Sequence, residues 1–144
     1  MKRRQLLGTA VGVSALAGCG LLDDDPKPPP PPDALQPVLD EARQLAAAYD
    51  RAILAEPALQ QRLAPLAEDH RAHAAELAKL IGAALPSAAA SAPPAEAKSV
   101  AALRKAEQAA QKTAAAACRT APSERAALVG SIAAARATHA EALR

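Results

Sequence analysis

Phenylalanine and tryptophan are missing from this 144-residue chain, and Tyr49 is its only aromatic side chain. A sheet core built from aromatic and β-branched residues is therefore not on offer. Nor is there a stacking platform for nucleic-acid bases. Met1 is the lone methionine, which argues against thioether copper sites. Cysteine occurs twice, at Cys19 and Cys118, and no Cys-rich metal motif can be assembled from it. Six glycines form no phosphate-cradling loop. The few serines fall in no nucleophile motif, so hydrolase activity has no sequence support and the chain reads more as a non-enzyme than as an enzyme. Charge of one sign is lacking too. The formal balance is +2, but Lys2, Arg3 and Arg4 lie at the extreme N-terminus; setting them aside leaves 14 basic side chains against 15 acidic ones. No basic field is left to attract nucleic acid.

What is present begins with an export signal. Met1–Gln5 is charged, and Leu6–Ala17 is an apolar run of h-region length. It is too short to span a bilayer, which takes about 20 apolar residues. Leu16-Ala17-Gly18-Cys19 follows and resembles a bacterial lipobox. This predicts a signal peptide over 1–18, lipidation of Cys19 and a chain held at the outer face of the cytoplasmic membrane. Arg3-Arg4-Gln5-Leu6-Leu7 also resembles a twin-arginine signal, which would carry the domain across already folded. Residues 19–32 contain Asp23-Asp24-Asp25 and the prolines 28–32. They form a spacer that rises about 3.1 Å per residue in polyproline II.

Beyond the spacer, alanine dominates and favours helix. Leu35, Val38, Leu39, Ala42, Leu45, Ala46, Tyr49 and Ile53 recur at helical spacing after Asp33, a candidate N-cap. Leu59, Leu63, Leu66, His70, His73, Leu77, Leu80 and Ala84 form a second stripe that keeps register through Pro65. It reads as one helix kinked there, or as a short helix followed by a new start. Val100, Leu103, Glu107, Ala110, Ala114 and Ala117 form a third. Leu128, Ile132, Ala135, His139 and Ala142/Leu143 form a fourth, capped by Thr120 or Ser123. The expected helices span about 34–55, 57–84, 97–118 and 122–143 of a bundle over 33–144. Pro86–Ala95 links the two hairpins. A helix of about 22 residues is about 33 Å long, and the ten or so extended residues of that linker just cover this length. A crossover joining two hairpins is therefore favoured, with an up-down bundle as the alternative.

A shift of 66 residues lays one hairpin on the other, matching Leu66-Ala67 to Ile132-Ala133, His73-Ala74 to His139-Ala140 and Glu41 to Glu107. Each half thus offers a Glu on its first helix and a His on its second. Over Asp33–Arg144 the chain resembles the ferritin-like superfamily, in particular alanine-rich lipoproteins of high-GC Gram-positive bacteria. In its metal-binding members each half supplies a Glu and then a Glu-x-x-His. The resemblance makes Glu41 and Glu107 the single carboxylates and His73 and His139 the imidazoles. The Glu three residues before each His is missing: His70 and Arg136 stand there. A permanent guanidinium cannot ligate a cation, so a full dinuclear site is not expected.

All three histidines fall on apolar stripes, and two readings follow. One is a transition-metal site of His70, His73 and His139 with Glu41 or Glu107, and Glu76 as a further candidate, in an N/O set suited to Zn, Cu or Fe. The other, preferred on the sequence, is a buried polar network without a cofactor, with Glu107 paired to Arg136. Cys118 becomes the single thiol once Cys19 is lipidated, and reads as a small buried residue. The function expected is a lipid-anchored envelope module for binding or structure, with metal binding or storage as the alternative. Its partners would be the membrane, through the lipid, and an envelope protein.

Overall fold

A computed structural model describes residues 31–85 and 99–144. The signal, Cys19, most of the spacer and the 86–95 linker lie outside the described residues. Those described form α1 (Gln36–Ala55), a 3-10 turn (Pro57–Leu59), α2 (Gln60–Ile81), α3 (Val100–Thr120) and α4 (Ser123–Ala142). The chain is thus all-α, a four-helix bundle. None of the described helices is long and apolar enough to cross a membrane.

The helix ends differ from expectation for local reasons. Asp33 does not cap α1 directly. Its Oδ1 accepts the Leu35 N–H at 2.9 Å in a turn preceding the helix, while its Oδ2 accepts Arg125 Nη1 at 2.7 Å. Both contacts hold its carboxyl below the usual range, and the second ties the start of α1 to α4. Pro57 ends α1, since the residue before a proline is pushed out of helical geometry; Glu56 sits at φ −138°. Pro65 lies inside α2, which continues through it without a new start. Gly82 stops α2 in the left-handed region at φ +67°, which an L side chain resists. Ser99 caps α3 by accepting the Ala102 N–H at 3.2 Å. Neither Thr120 nor Ser123 caps α4: the N-cap position is Pro122, and Thr120 Oγ1 donates back to Ala117 O.

The core falls into two ends, and these give the direction of each helix. At one end Leu35, Val38 and Leu39 from the start of α1 meet Leu77 from the end of α2, Ala114 from late α3 and Val129 and Ile132 from early α4. At the other, Tyr49 and Ala52 from late α1 meet Leu63 from early α2, Leu103 from early α3 and Leu143. So α3 starts beside the start of α2, and the segment joining them begins at one end of the bundle and finishes at the other. That is the crossover connectivity of ferritin-like bundles; an up-down bundle would start α3 beside the end of α2. Around the bundle α1 neighbours α2 and α3, and α4 neighbours α3 and α2. The pairs α1/α4 and α2/α3 therefore face each other across the diagonals.

Small residues set the helix spacing. A Cβ built on Gly130 of α4 would stand 3.3 Å from Cys118 Sγ of α3. Cys118 is half-buried against the first core cluster and donates to Ala126 O at 3.4 Å.

Candidate functional site

Buried polar side chains from all four helices cluster inside the bundle, with Tyr49 of α1, His70 of α2, Glu107 of α3 and His139 of α4 forming one group and Arg136 of α4 lying apart from it. The 3.6-residue period that buries Leu45 and Ala52 also buries Tyr49. The same holds for His70 between Leu63 and Leu77, and for Glu107 between Leu103 and Ala110. Tyr49, His70 and Glu107 are 0% exposed and His139 is 4%.

They converge on a single oxygen. Tyr49 Oη donates to Glu107 Oε1 at 2.6 Å, and His70 Nε2 lies 2.6 Å from the same atom. His139 Nδ1 stands 3.4 Å from it, in ion-pair range but without a directed hydrogen bond. The Tyr49 and His70 rings stack at 5.5 Å, and the His70 and His139 rings meet edge-on at 5.0 Å. On its far side His139 Nε2 donates to Asp69 Oδ2 at 3.2 Å, a carboxylate that reaches solvent. Three buried polar atoms here have no partner: Glu107 Oε2, His70 Nδ1 and His139 Nδ1. An unpartnered buried group typically costs about 1–3 kcal/mol, so the site is polar beyond what its own contacts satisfy.

The charges follow from the surroundings. Burial alone would raise the Glu107 carboxyl, but the His139 and His70 rings and the Tyr49 hydroxyl outweigh it and hold the pKa down at about 2. Burial pushes His139 down, yet Glu107 on one side and Asp69 on the other bring it above its ordinary value. Tyr49 is pushed up by burial and by the Glu107 charge beside it. Glu107 is thus an anion held by hydrogen-bond donors in the apolar centre of the bundle.

Arg136 does not pair with Glu107. Fully buried, it donates from Nη1 to Glu41 Oε2 at 2.9 Å and to Ala110 O at 2.8 Å, and from Nη2 to Val38 O at 2.9 Å. The diagonal geometry explains the choice, because α4 faces α1 across the bundle centre while α2 faces α3. The 66-residue shift expresses the same relation: it carries His70 onto Arg136 and Glu107 onto Glu41, so the two diagonal bonds are counterparts. In one half the donor is an imidazole; in the other a guanidinium fills the space.

Of the candidate ligands, His70, Glu107 and His139 come together, each offering one atom within 4.8 Å of the others. The rest do not join them. Glu41 is engaged by Arg136 and by Thr113 Oγ1 at 2.8 Å. His73 is half-buried on the next turn of α2, its ring 6.1 Å from that of His70, and its pKa is lowered by burial and by the neighbouring His70, His139 and Arg136. Glu76 is exposed. Two residues escaped the sequence reading. Tyr49 was placed as an apolar stripe residue, though its hydroxyl required a partner in any buried position. Asp69 sits beside the stripe rather than on it, and only the packing of α2 on α4 brings it to His139.

The arrangement can hold one metal ion and does not fit two. Ligand atoms 2.0–2.2 Å from a tetrahedral ion stand about 3.4 Å apart, the separation already present between His139 Nδ1 and Glu107 Oε1. The 2.6 Å contact of His70 would have to open by about 0.8 Å, and the free Oε2 of Glu107 offers a second donor. Asp69 behind His139 supplies the outer carboxylate that commonly orients a ligating imidazole. In the other half Arg136 brings a fixed positive charge where a second ion would need a ligand. Comparison of the chain with family models, with curated proteins and with solved structures returns no match.

Proposed function

We propose that the protein is a lipid-anchored module of the cell envelope that binds a single transition-metal ion in the core of its bundle, at His70, Glu107 and His139. The observation that carries this reading is the convergence of three buried ligand atoms within 4.8 Å, with Glu107 Oε2 and His139 Nδ1 left unpartnered. A buried network kept only for structure would have closed on itself. The Arg136–Glu41 cluster of the other half satisfies both Glu41 oxygens and both Arg136 Nη atoms and leaves Arg136 Nε as its one unpartnered buried atom. The open cluster is the one with metal-ligand chemistry. The anchor rests on the N-terminal sequence: a charged start, an apolar run, a lipobox at Cys19 and a Pro-rich spacer. In this reading the chain is similar to the ferritin-like lipoproteins and has kept one half of their metal chemistry.

Protons and metal compete for the site. In the closed form the protons of Tyr49 and His70 face Glu107; a cation replaces the attraction they supply, so loading releases protons and weakens in acid. The test is equilibrium dialysis of protein purified from membranes, against Zn2+, Cu2+ and Fe3+. One ion per chain is expected. Glu107→Gln and His70→Ala should lower the affinity by about 100-fold or more, and His73→Ala should leave it near wild type. Protein that retains no metal, or that loses it equally in His73→Ala, would overturn the proposal. Membrane attachment is tested separately by Cys19→Ala, which should move the protein to the soluble fraction.

A further inference from the structure

The three-residue ligand set leaves a fourth position, and one further polar side chain reaches the same carboxylate. Tyr49 Oη is fully buried and lies 2.6 Å from Glu107 Oε1, on the same oxygen that His70 and His139 approach. Glu107 Oε1 is thus approached from three other helices, by Tyr49 and His70 at 2.6 Å and by His139 Nδ1 at 3.4 Å, so an ion bound beside it has the phenol oxygen within reach as well as the two imidazoles. We infer that Tyr49 is the fourth ligand, so that the centre is an N2O2 set of two imidazoles, one carboxylate and one phenolate that selects a hard trivalent ion, ferric iron. This rests on the single-metal reading above and names the ion it serves.

The chemistry supports a trivalent ion over zinc or cuprous copper. Two of the four donors are anionic oxygens, and the set contains no thiolate or thioether. Cys118 packs at the other end of the bundle, with the cluster that includes Leu77 and Val129. A 3+ ion bound by the Glu107 carboxylate and the Tyr49 phenolate keeps one net positive charge. Asp69, hydrogen-bonded to His139, offsets it. Arg136 is already neutralised by Glu41 and adds no demand. On binding, the metal–oxygen bond forms at Tyr49 Oη, the O–H bond breaks and the proton leaves to bulk water. The metal arrives in its bound oxidation state, and no electron is transferred.

The stacked His70 ring holds the Tyr49 ring from one face, so replacement by phenylalanine conserves the packing and removes only the oxygen. The experiment loads the full chain with ferric nitrilotriacetate and records the visible spectrum and the resonance Raman spectrum. Wild type is expected to show an intense phenolate-to-iron charge-transfer band with tyrosinate vibrations. Tyr49→Phe should lose both, bind Fe3+ at least about tenfold more weakly, and release one proton fewer per iron. If iron binds at one per chain without the band, Tyr49 is not a ligand and the inference falls while the single-metal reading stands. If neither Fe3+ nor Zn2+ is retained, both fall. The Raman signature is read on wild type, so it decides the point even if Tyr49→Phe does not fold.

Discussion

Glu41 and Arg136 form one ion pair, yet removing either partner should have very unequal consequences. Arg136 is fully buried, while the Glu41 side chain keeps 29% of its surface exposed. In Glu41→Ala a guanidinium stays in the core with only two helix carbonyls, Ala110 O and Val38 O, to hold its charge. Stranding a buried charge in this way costs about 3–5 kcal/mol. The two carbonyls place the expectation near the lower figure. In Arg136→Met the remaining carboxylate can hydrate and still accepts the Thr113 hydroxyl at 2.8 Å. The methionine stem replaces much of the arginine's apolar contact, so the loss is about 1.5 kcal/mol, that of a hydrogen bond to a charged group. The double variant leaves no unpaired charge at this pair and should be more stable than Glu41→Ala alone. Urea unfolding of the compact unit Pro32–Arg144, followed by circular dichroism, measures all four stabilities. With a slope near 1–1.5 kcal/mol per molar urea, as small domains show, the two single variants should differ in midpoint by about 1 M or more. A double variant less stable than Glu41→Ala would refute the argument, because Arg136 would then be stabilising the core without its carboxylate.

Further outcomes are expected. Glu107 has a folded pKa of about 2 against roughly 4.3 for an unfolded glutamate. The stability it contributes is therefore present above about pH 4.3 and lost as the pH falls towards 2, on the order of 3 kcal/mol in all. Glu107→Gln should flatten this part of a urea-midpoint profile; an unchanged acid slope would contradict the assignment. His139, with a raised pKa, stabilises below its unfolded value and loses this as pH rises through the folded one, whereas the lowered His73 works in the opposite sense. Stability should thus fall more steeply with rising pH near neutrality in His73→Gln than in wild type. Arg136→His restores an imidazole at the counterpart of His70, beside Glu41 and near His73, and should raise the metal stoichiometry from one ion to two; a value that stays at one would deny that the two halves are equivalent. Gly130→Ala gains up to about 1 kcal/mol of helix propensity but brings its Cβ within 3.3 Å of Cys118 Sγ. It should be near neutral alone and stabilising by about 0.5–1 kcal/mol in a Cys118→Ala background, as thermal melts would show.

The bundle was legible because its apolar residues repeat with helical period in four separate runs, and because the linker has the length of a helix. The stripe that passes through Pro65 in register corresponds to a continuous α2. Helix ends were less legible, since capping depends on one or two local bonds. Asp33 binds Leu35 and Arg125 instead of capping the helix, and Pro122 occupies the position given to Thr120 or Ser123. Within the site, the presence of His70, His139 and Glu107 on apolar stripes signalled a buried polar cluster. The pairing did not follow from it. Which helices share a diagonal is a property of the whole bundle, so the sequence favoured Glu107 with Arg136 where the fold joins Arg136 to Glu41 and His70 to Glu107. The internal shift of 66 residues held that information, because it exchanges the two diagonal pairs. Tyr49 was hidden by its own amphipathic character: the ring fits an apolar stripe, and only the packed structure shows where the hydroxyl goes.

X-ray absorption at the metal edge of the loaded protein addresses the central claim most directly. An ion held by the buried cluster should show about four N/O neighbours at about 2.0–2.2 Å, with multiple scattering from two imidazoles. That signal should drop to one imidazole in His139→Gln and stay at two in His73→Gln. A six-oxygen shell without imidazole scattering, or the loss of one ring in His73→Gln, would place the metal elsewhere and contradict the account.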